Sequence, residues 1–146
     1  MLTTEAKAPP EISTIYIVKE RQIAAPADIV FETLLEPQGR FTEMNLKLEA
    51  WPGGRWYRDL GNNAGHLWGH VQVIKPPKLL EIVGPMMMSY AVASHVQYRL
   101  SEEAGGTLLK ITHQAIGLIS QEHREGVTKG WGEILEAIRE AAEKRA

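Results

Sequence analysis

Between residues 51 and 83, short runs of strand-favouring residues alternate with residues that form turns. Gly53-Gly54 precedes the first run, the Gly- and Asn-rich segment 61–65 precedes the second, and Pro76-Pro77-Lys78 precedes the third. Short runs bounded by Gly, Asn and Pro are typical of strands joined by tight turns. The pattern therefore predicts a meander of three strands, over residues 55–60, 66–75 and 79–83.

Further strands lie on both sides of this meander. Residues 92–102 alternate regularly, with Val96, Tyr98 and Leu100 on one face and polar residues on the other. Side chains of a strand point alternately to its two faces, so this run predicts a strand with one face in the core. Less regular patterns predict three more strands, over residues 14–24, 45–51 and 107–114.

The chain ends in a long segment with helical periodicity, residues 120–144, for which Ser120 is a suitable N-cap. Gly126, Gly130 and Gly132 each cost a helix about 1 kcal/mol relative to alanine. Their presence indicates either a close approach of the helix backbone to the sheet or a first half that faces a cavity. The apolar stripe of this helix comprises Val127, Trp131, Ile134, Leu135, Ile138 and Ala142.

Two short helical segments follow the first strand, a helix that ends at Glu36 before Pro37 and one further turn over residues 38–43. The predicted fold is therefore α+β, with a seven-stranded curved antiparallel sheet wrapped around the long C-terminal helix. The space between sheet and helix is the expected place for a ligand cavity.

Composition limits the classes of protein and partner. The chain has 146 residues, 44% of them apolar, which predicts one domain over residues 14–146 behind a flexible tail, residues 1–13. A net charge of −2 argues against binding to nucleic acid, and no apolar run is long enough for membrane insertion. The absence of cysteine excludes disulfides and thiolate chemistry. With no signal-peptide pattern, we expect a cytoplasmic location.

The histidines are candidates for metal binding, general-base catalysis and ligand binding. His66 and His70 lie on a predicted strand, where four residues span about 13 Å, too far for one metal ion, so we expect no metal site. His113 continues an inward-facing set on the last strand, and His123 lies beside the apolar stripe of the long helix. Either could act as a general base or orient a ligand, or simply form a hydrogen bond at the cavity rim.

Other residues are predicted to line the cavity. Arg58 shares a strand face with Trp56, so it either needs an anionic partner or extends to water. The consecutive methionines 86–88 can line a pocket, pack in the core or form a dimer contact, and a homodimer stays an open alternative. The predicted ligand-binding residues are Trp56, Arg58, Trp68, Met86, Met88, Tyr90, His113, His123, Val127 and Trp131.

Taken in order, the sequence resembles a known family. The segments that carry the resemblance are Ala-Pro-Ala-Asp at 25–28, Gly53-Gly54, Gly69-His70-Val71, Pro76-Pro77-Lys78-Leu79, Gly106-Thr107-Leu108 and Gly130-Trp131. Their order and spacing are similar to those of the START/Bet v 1-like (SRPBCC) superfamily, in the branch named after the activator of heat shock protein 90 ATPase. The resemblance covers roughly residues 14–143 and implies the helix-grip fold.

The resemblance implies three kinds of function. Members of the superfamily include carriers of lipids and hydrophobic ligands, polyketide cyclases and aromatases, and a co-chaperone domain. The first expectation is therefore a small hydrophobic ligand, bound without a cofactor. The alternatives are an enzyme that uses His113 or His123 as its base, and a stress-related interaction module. Co-chaperones pair this domain with a separate N-terminal domain that the sequence lacks, which argues against the last alternative.

Overall fold

The computed structural model describes residues 11–146 of the chain. A short helix and a 3₁₀ helix follow the first strand, and a long helix follows the last strand. The strands are β1 (Ser13–Ile23), β2 (Leu46–Leu48), β3 (Arg55–Gly61), β4 (Ala64–Lys75), β5 (Leu79–Gly84), β6 (Val92–Glu103) and β7 (Gly106–Gly117). The helices are α1 (Ala27–Leu34), the 3₁₀ helix (Gly39–Met44) and α2 (Gln121–Arg145).

All seven strands form one antiparallel sheet in the order β1-β7-β6-β5-β4-β3-β2. β6 and β7 pair along their full length, from Val92 opposite Gly117 to Glu103 opposite Gly106. α2 packs across one face of this sheet and also contacts α1 and the 3₁₀ helix. The predicted α+β, helix-grip architecture is confirmed.

The core lies between the sheet and α2. On β6 the side chains of Val96, Tyr98 and Leu100 are buried, as their alternation predicts. The six apolar residues predicted as the stripe of α2 are all buried as well. Burial of such side chains contributes roughly 25 cal/mol per Å² of apolar surface removed from water, and it fixes which face of α2 meets the sheet.

Local hydrogen bonds explain where the structure differs from the predicted elements. The second strand was predicted over residues 45–51, but β2 ends at Leu48. The carboxylate of Glu49 accepts the backbone N–H of Arg55 at 2.8 Å, and the chain turns between these residues. A Cβ at Gly54 would lie 1.9 Å from the Glu49 carbonyl oxygen, so only glycine fits this turn.

The start of the chain was predicted as a tail over residues 1–13. Residues 1–10 lie outside the described residues, and β1 already begins at Ser13. No helix within residues 11–146 is both long and apolar enough to cross a membrane.

A β-bulge at Trp68 breaks the alternation along β4. Trp56 pairs with Gly69 and the next residue of β3 pairs with Leu67, which leaves Trp68 as the extra residue. The half-buried His66 accepts a hydrogen bond on Nδ1 from Trp68 Nε1 at 3.2 Å, whereas His70 is exposed. Because the bulge lies between the two histidines, only His70 is on the solvent-exposed face of β4.

Candidate functional site

A cleft of about 420 Å³ opens beside the first half of α2. Its other walls are the 3₁₀ helix, the bulge of β4 and the loop that follows β5. The residues that line it are Arg40, Phe41, Met44, Trp68, Met87, Met88, Ser89, Glu122, His123, Gly126, Val127, Gly130, Trp131 and Ile134.

Two glycines of α2 leave the helix side of the cleft open. A Cβ added at Gly126 would meet no atom within 4 Å, and at Gly130 it would meet only Nη1 of Arg40, at 3.9 Å. Both residues have ordinary helical backbone, so neither packing nor conformation requires glycine there. The prediction of a cavity-facing first half of α2 therefore fits better than the alternative, a close approach of the helix backbone to the sheet.

Aromatic rings form the inner wall of the cleft. Phe41 lies edge-on to Trp68 with ring centroids 5.5 Å apart, and Trp68 lies edge-on to Trp56 at 5.0 Å. Trp131 is 1% exposed and closes the wall from the α2 side. Rings locked in such edge-to-face contacts present a rigid apolar surface.

The loop after β5 supplies flexible apolar side chains. Met86 has a positive φ of 60°, its backbone N–H donates to the Trp68 carbonyl at 2.8 Å, and its side chain is fully buried. This conformation holds Met86 in the core and leaves Met87 and Met88 in the lining of the cleft. Methionine side chains adapt to the shape of an apolar molecule because their torsions are soft and their sulfur is polarizable.

Polar groups are few and lie at the mouth. Arg40 forms an ion pair with Glu133 of α2, which neutralises the guanidinium at this edge. His123, in the first turn of α2, lies with its Nδ1 3.0 Å from the Tyr90 hydroxyl oxygen, and the two rings stack with centroids 5.2 Å apart. Burial raises the pKa of Tyr90, so its hydroxyl stays protonated at neutral pH.

His113 lies in the core between β7 and α2, outside the lining of the cleft. Trp131 Nε1–H donates to its Nδ1 at 2.8 Å, and Ser94 Oγ lies 3.0 Å from its Nε2. An indole N–H is only a donor, so Nδ1 carries no proton and Nε2–H donates to Ser94. Burial lowers the pKa of His113 to about 4. The expectation that this histidine points into the cavity is therefore wrong: both nitrogens are used within the core.

The structure brings half of the predicted ligand-binding residues to the cleft. Those in its lining are Trp68, Met88, His123, Val127 and Trp131. Tyr90 is not in the lining but forms a hydrogen bond with His123, which is. Trp56, Met86 and His113 are core residues. Arg58 lies on β3, half-buried and outside the cleft, and its buried Nε has no hydrogen-bond partner within residues 11–146.

Sequence reasoning missed the wall formed by the 3₁₀ helix. Phe41 and Met44 line the cleft, with Arg40 at its edge. The one available signal was the spacing of Phe41 and Met44, three residues apart, which places both on one side of a helical turn. The position of that turn across the cleft depends on its packing against α2, which no local pattern encodes.

The fold and the cleft between the sheet and α2 define a protein of the helix-grip class. Comparison with family models narrows this class to one family. The model of the family described as activator of Hsp90 ATPase homolog 1-like protein matches residues 24–143, and the chain belongs to this family. No curated protein matches the sequence significantly.

Solved structures show the same fold at low sequence identity. An uncharacterised protein from Rhizobium leguminosarum superposes with a TM-score of 0.74 at 20% identity, covering 94% of this chain and 99% of that one. CalU16 from Micromonospora echinospora gives a TM-score of 0.63 at 24% identity, over 92% and 87% of the two chains. DynU16, from the dynemicin biosynthetic locus, gives 0.64 at 18% identity, over 88% of this chain and 47% of that chain.

Proposed function

We propose that the protein binds one small hydrophobic molecule in the cleft beside α2. The observation that carries the proposal is the cleft itself: about 420 Å³, lined by three aromatic rings, three methionines and two glycines. Small-molecule sites are commonly concave, largely apolar and about 300–1,000 Å³ in volume, with a few polar groups that orient the ligand. Membership of the family supports the same reading.

Affinity would come mainly from removing apolar surface from water. Burial contributes roughly 25 cal/mol per Å², from which the loss of ligand motion and the ordering of side chains must be subtracted. The rigid rings of Phe41, Trp68 and Trp131 reduce the ordering cost, because these side chains are already fixed by packing. The methionines adjust to the shape of the ligand.

The enzymatic alternative, a polyketide cyclase- or aromatase-like reaction, needs a base that reaches the substrate. Of the two predicted candidates only His123 lies in the cleft lining. His113 is buried, with its Nδ1 occupied by Trp131. Of the two predicted bases, an enzyme of this kind would therefore use His123.

A fluorescence titration with 2-acetylnaphthalene, a neutral aromatic ketone, tests the binding proposal. We expect saturable one-to-one binding to the wild type. Met87→Glu should weaken it by about tenfold or more, because the ligand would have to desolvate a carboxylate in the cleft wall. Leu67→Glu is the matched control, since Leu67 is 43% exposed on β4 and lies outside the cleft.

Leu67→Glu should leave the affinity unchanged within about twofold, the usual effect of an exposed substitution away from the site. Equal weakening by both substitutions would place the binding outside the cleft. Failure of the wild type to bind any such probe would refute the proposed function.

A further inference from the structure

We propose that His123 recognises the polar end of the ligand, that Tyr90 positions its imidazole, and that the ligand is a neutral aromatic molecule with a carbonyl oxygen at this end. The proposal rests on the proposed function and names the chemistry of the molecule that the cleft would take. It follows from three features: the hydrogen bond between the two side chains, the charges at the mouth, and the shape of the cleft.

The hydrogen bond with Tyr90 decides which nitrogen of His123 carries the proton. The hydroxyl oxygen of Tyr90 lies 3.0 Å from Nδ1. A phenol is a far stronger acid than a neutral imidazole N–H, so the hydroxyl donates and Nδ1 accepts. The proton of the neutral ring is then on Nε2, because the bond made by one ring nitrogen sets the state of the other.

Nε2 of His123 is therefore a free donor at the edge of the cleft. Within residues 11–146 it makes no hydrogen bond, although the ring is held on one face by the stacked Tyr90. Protonation of the ring would keep Nε2–H as a donor, with Nδ1–H then donating to the tyrosine oxygen. In either state Nε2–H can donate a hydrogen bond to a ligand, so the group of the ligand that binds there is an acceptor.

The charges around His123 favour a neutral acceptor over an anion. Glu122 lines the mouth beside it and forms no ion pair with any described residue. The positive charge in the lining, that of Arg40, is paired with Glu133. A carboxylate ligand would meet an unpaired negative charge and no free positive one, whereas a ketone, ester or amide oxygen would not be repelled.

The shape of the cleft favours a flat apolar body. α2 contributes bare backbone at Gly126 and Gly130, and the 3₁₀ helix and β4 contribute the rings of Phe41 and Trp68. A planar aromatic system can lie against the glycines and meet these rings, with its carbonyl directed to His123. Offset and edge-to-face contacts between rings are favourable beyond their buried area.

Three probes of nearly equal size test this assignment by titration: 2-acetylnaphthalene, 2-ethylnaphthalene and 2-naphthoate. We expect the ketone to bind the wild type about three- to tenfold more tightly than the hydrocarbon, the usual effect of one neutral hydrogen bond. The naphthoate should bind more weakly than the ketone. His123→Phe, which keeps a ring stacked on Tyr90, should lose the preference for the ketone.

The role of Tyr90 has its own readout. Tyr90→Phe keeps the ring stack and removes the hydroxyl, so the hydrocarbon should bind as before while the preference for the ketone falls. The nitrogen-15 spectrum of the His123 side chain should show an unprotonated Nδ1 and a protonated Nε2 in the wild type. In Tyr90→Phe it should show a mixture of the two neutral tautomers. A spectrum and a preference unchanged in Tyr90→Phe would overturn its positioning role.

The remaining outcomes separate this inference from the proposed function. Equal binding of ketone and hydrocarbon by the wild type, or a preference that survives in His123→Phe, overturns the recognition role while hydrophobic binding stands. Tighter binding of the naphthoate overturns the assignment of a neutral ligand. If the wild type binds none of the three probes, the proposed function itself fails.

Discussion

Replacing Gly126 by alanine is expected to stabilise the fold and weaken ligand binding at the same time. Alanine in a helix interior is favoured over glycine by about 1 kcal/mol, and the new Cβ would meet no protein atom within 4 Å. The same methyl group would occupy space in the cleft. Overfilling a well-packed contact costs about 1–3 kcal/mol, so affinity for 2-acetylnaphthalene should fall by about tenfold. Thermal unfolding and fluorescence titration measure the two effects.

Gly132→Ala is the matched control for this prediction. A Cβ at Gly132 also meets no atom within 4 Å, but the residue lies outside the lining of the cleft. Its substitution should raise stability by a similar amount and leave binding unchanged. If Gly126→Ala binds as tightly as Gly132→Ala, the glycines of α2 do not shape a ligand site. A loss of stability in Gly126→Ala would mean that the residue has a packing role.

The second large effect is a loss of stability in mild acid caused by His113. Burial holds the pKa of His113 at about 4 in the folded protein, whereas in the unfolded chain it is about 6.5. Between these values the unfolded chain binds a proton that the folded protein does not. The free energy of unfolding should therefore decrease as the pH falls from about 6.5 to about 4, by about 3 kcal/mol from this residue.

His113→Gln separates this contribution from that of other groups. Glutamine can accept from Trp131 and donate to Ser94 but does not titrate. Chemical denaturation of both proteins at several pH values should show a shallower decrease for His113→Gln between pH 6.5 and 4.5. Carboxylates such as Glu49, whose pKa is lowered to about 2 by its hydrogen bonds with Arg55, act below this range. Identical slopes for the two proteins would contradict the account.

Local patterns were sufficient to predict most of the fold. The alternation of Val96, Tyr98 and Leu100 and the apolar stripe of α2 each correspond to one buried face, which is why strands and helix could be assigned from the sequence. The predicted bounds of a strand were wrong where a single hydrogen bond determines the position at which the strand ends. β2 is shorter than predicted because the Glu49 carboxylate binds the backbone of Arg55 and the chain turns between them.

The candidate site was less predictable because it depends on long-range geometry. His113 has the alternation of an inward-facing residue, but only the three-dimensional structure shows that it contributes no side chain to the cleft and instead accepts a hydrogen bond from Trp131, which lines the cleft. Phe41 and Met44 reach the cleft through the packing of the 3₁₀ helix against α2. Gly126 and Gly130 were the local signal that pointed to this region, because glycine costs a helix about 1 kcal/mol relative to alanine and both residues line the cleft.

Native mass spectrometry of the protein with added 2-acetylnaphthalene tests the central claim, one hydrophobic ligand in the cleft beside α2, most directly. We predict a single one-to-one adduct on the wild type and on Leu67→Glu, strongly reduced on Met87→Glu and on Gly126→Ala. The absence of any adduct, or a ladder of adducts that is the same on all four proteins, would contradict the account.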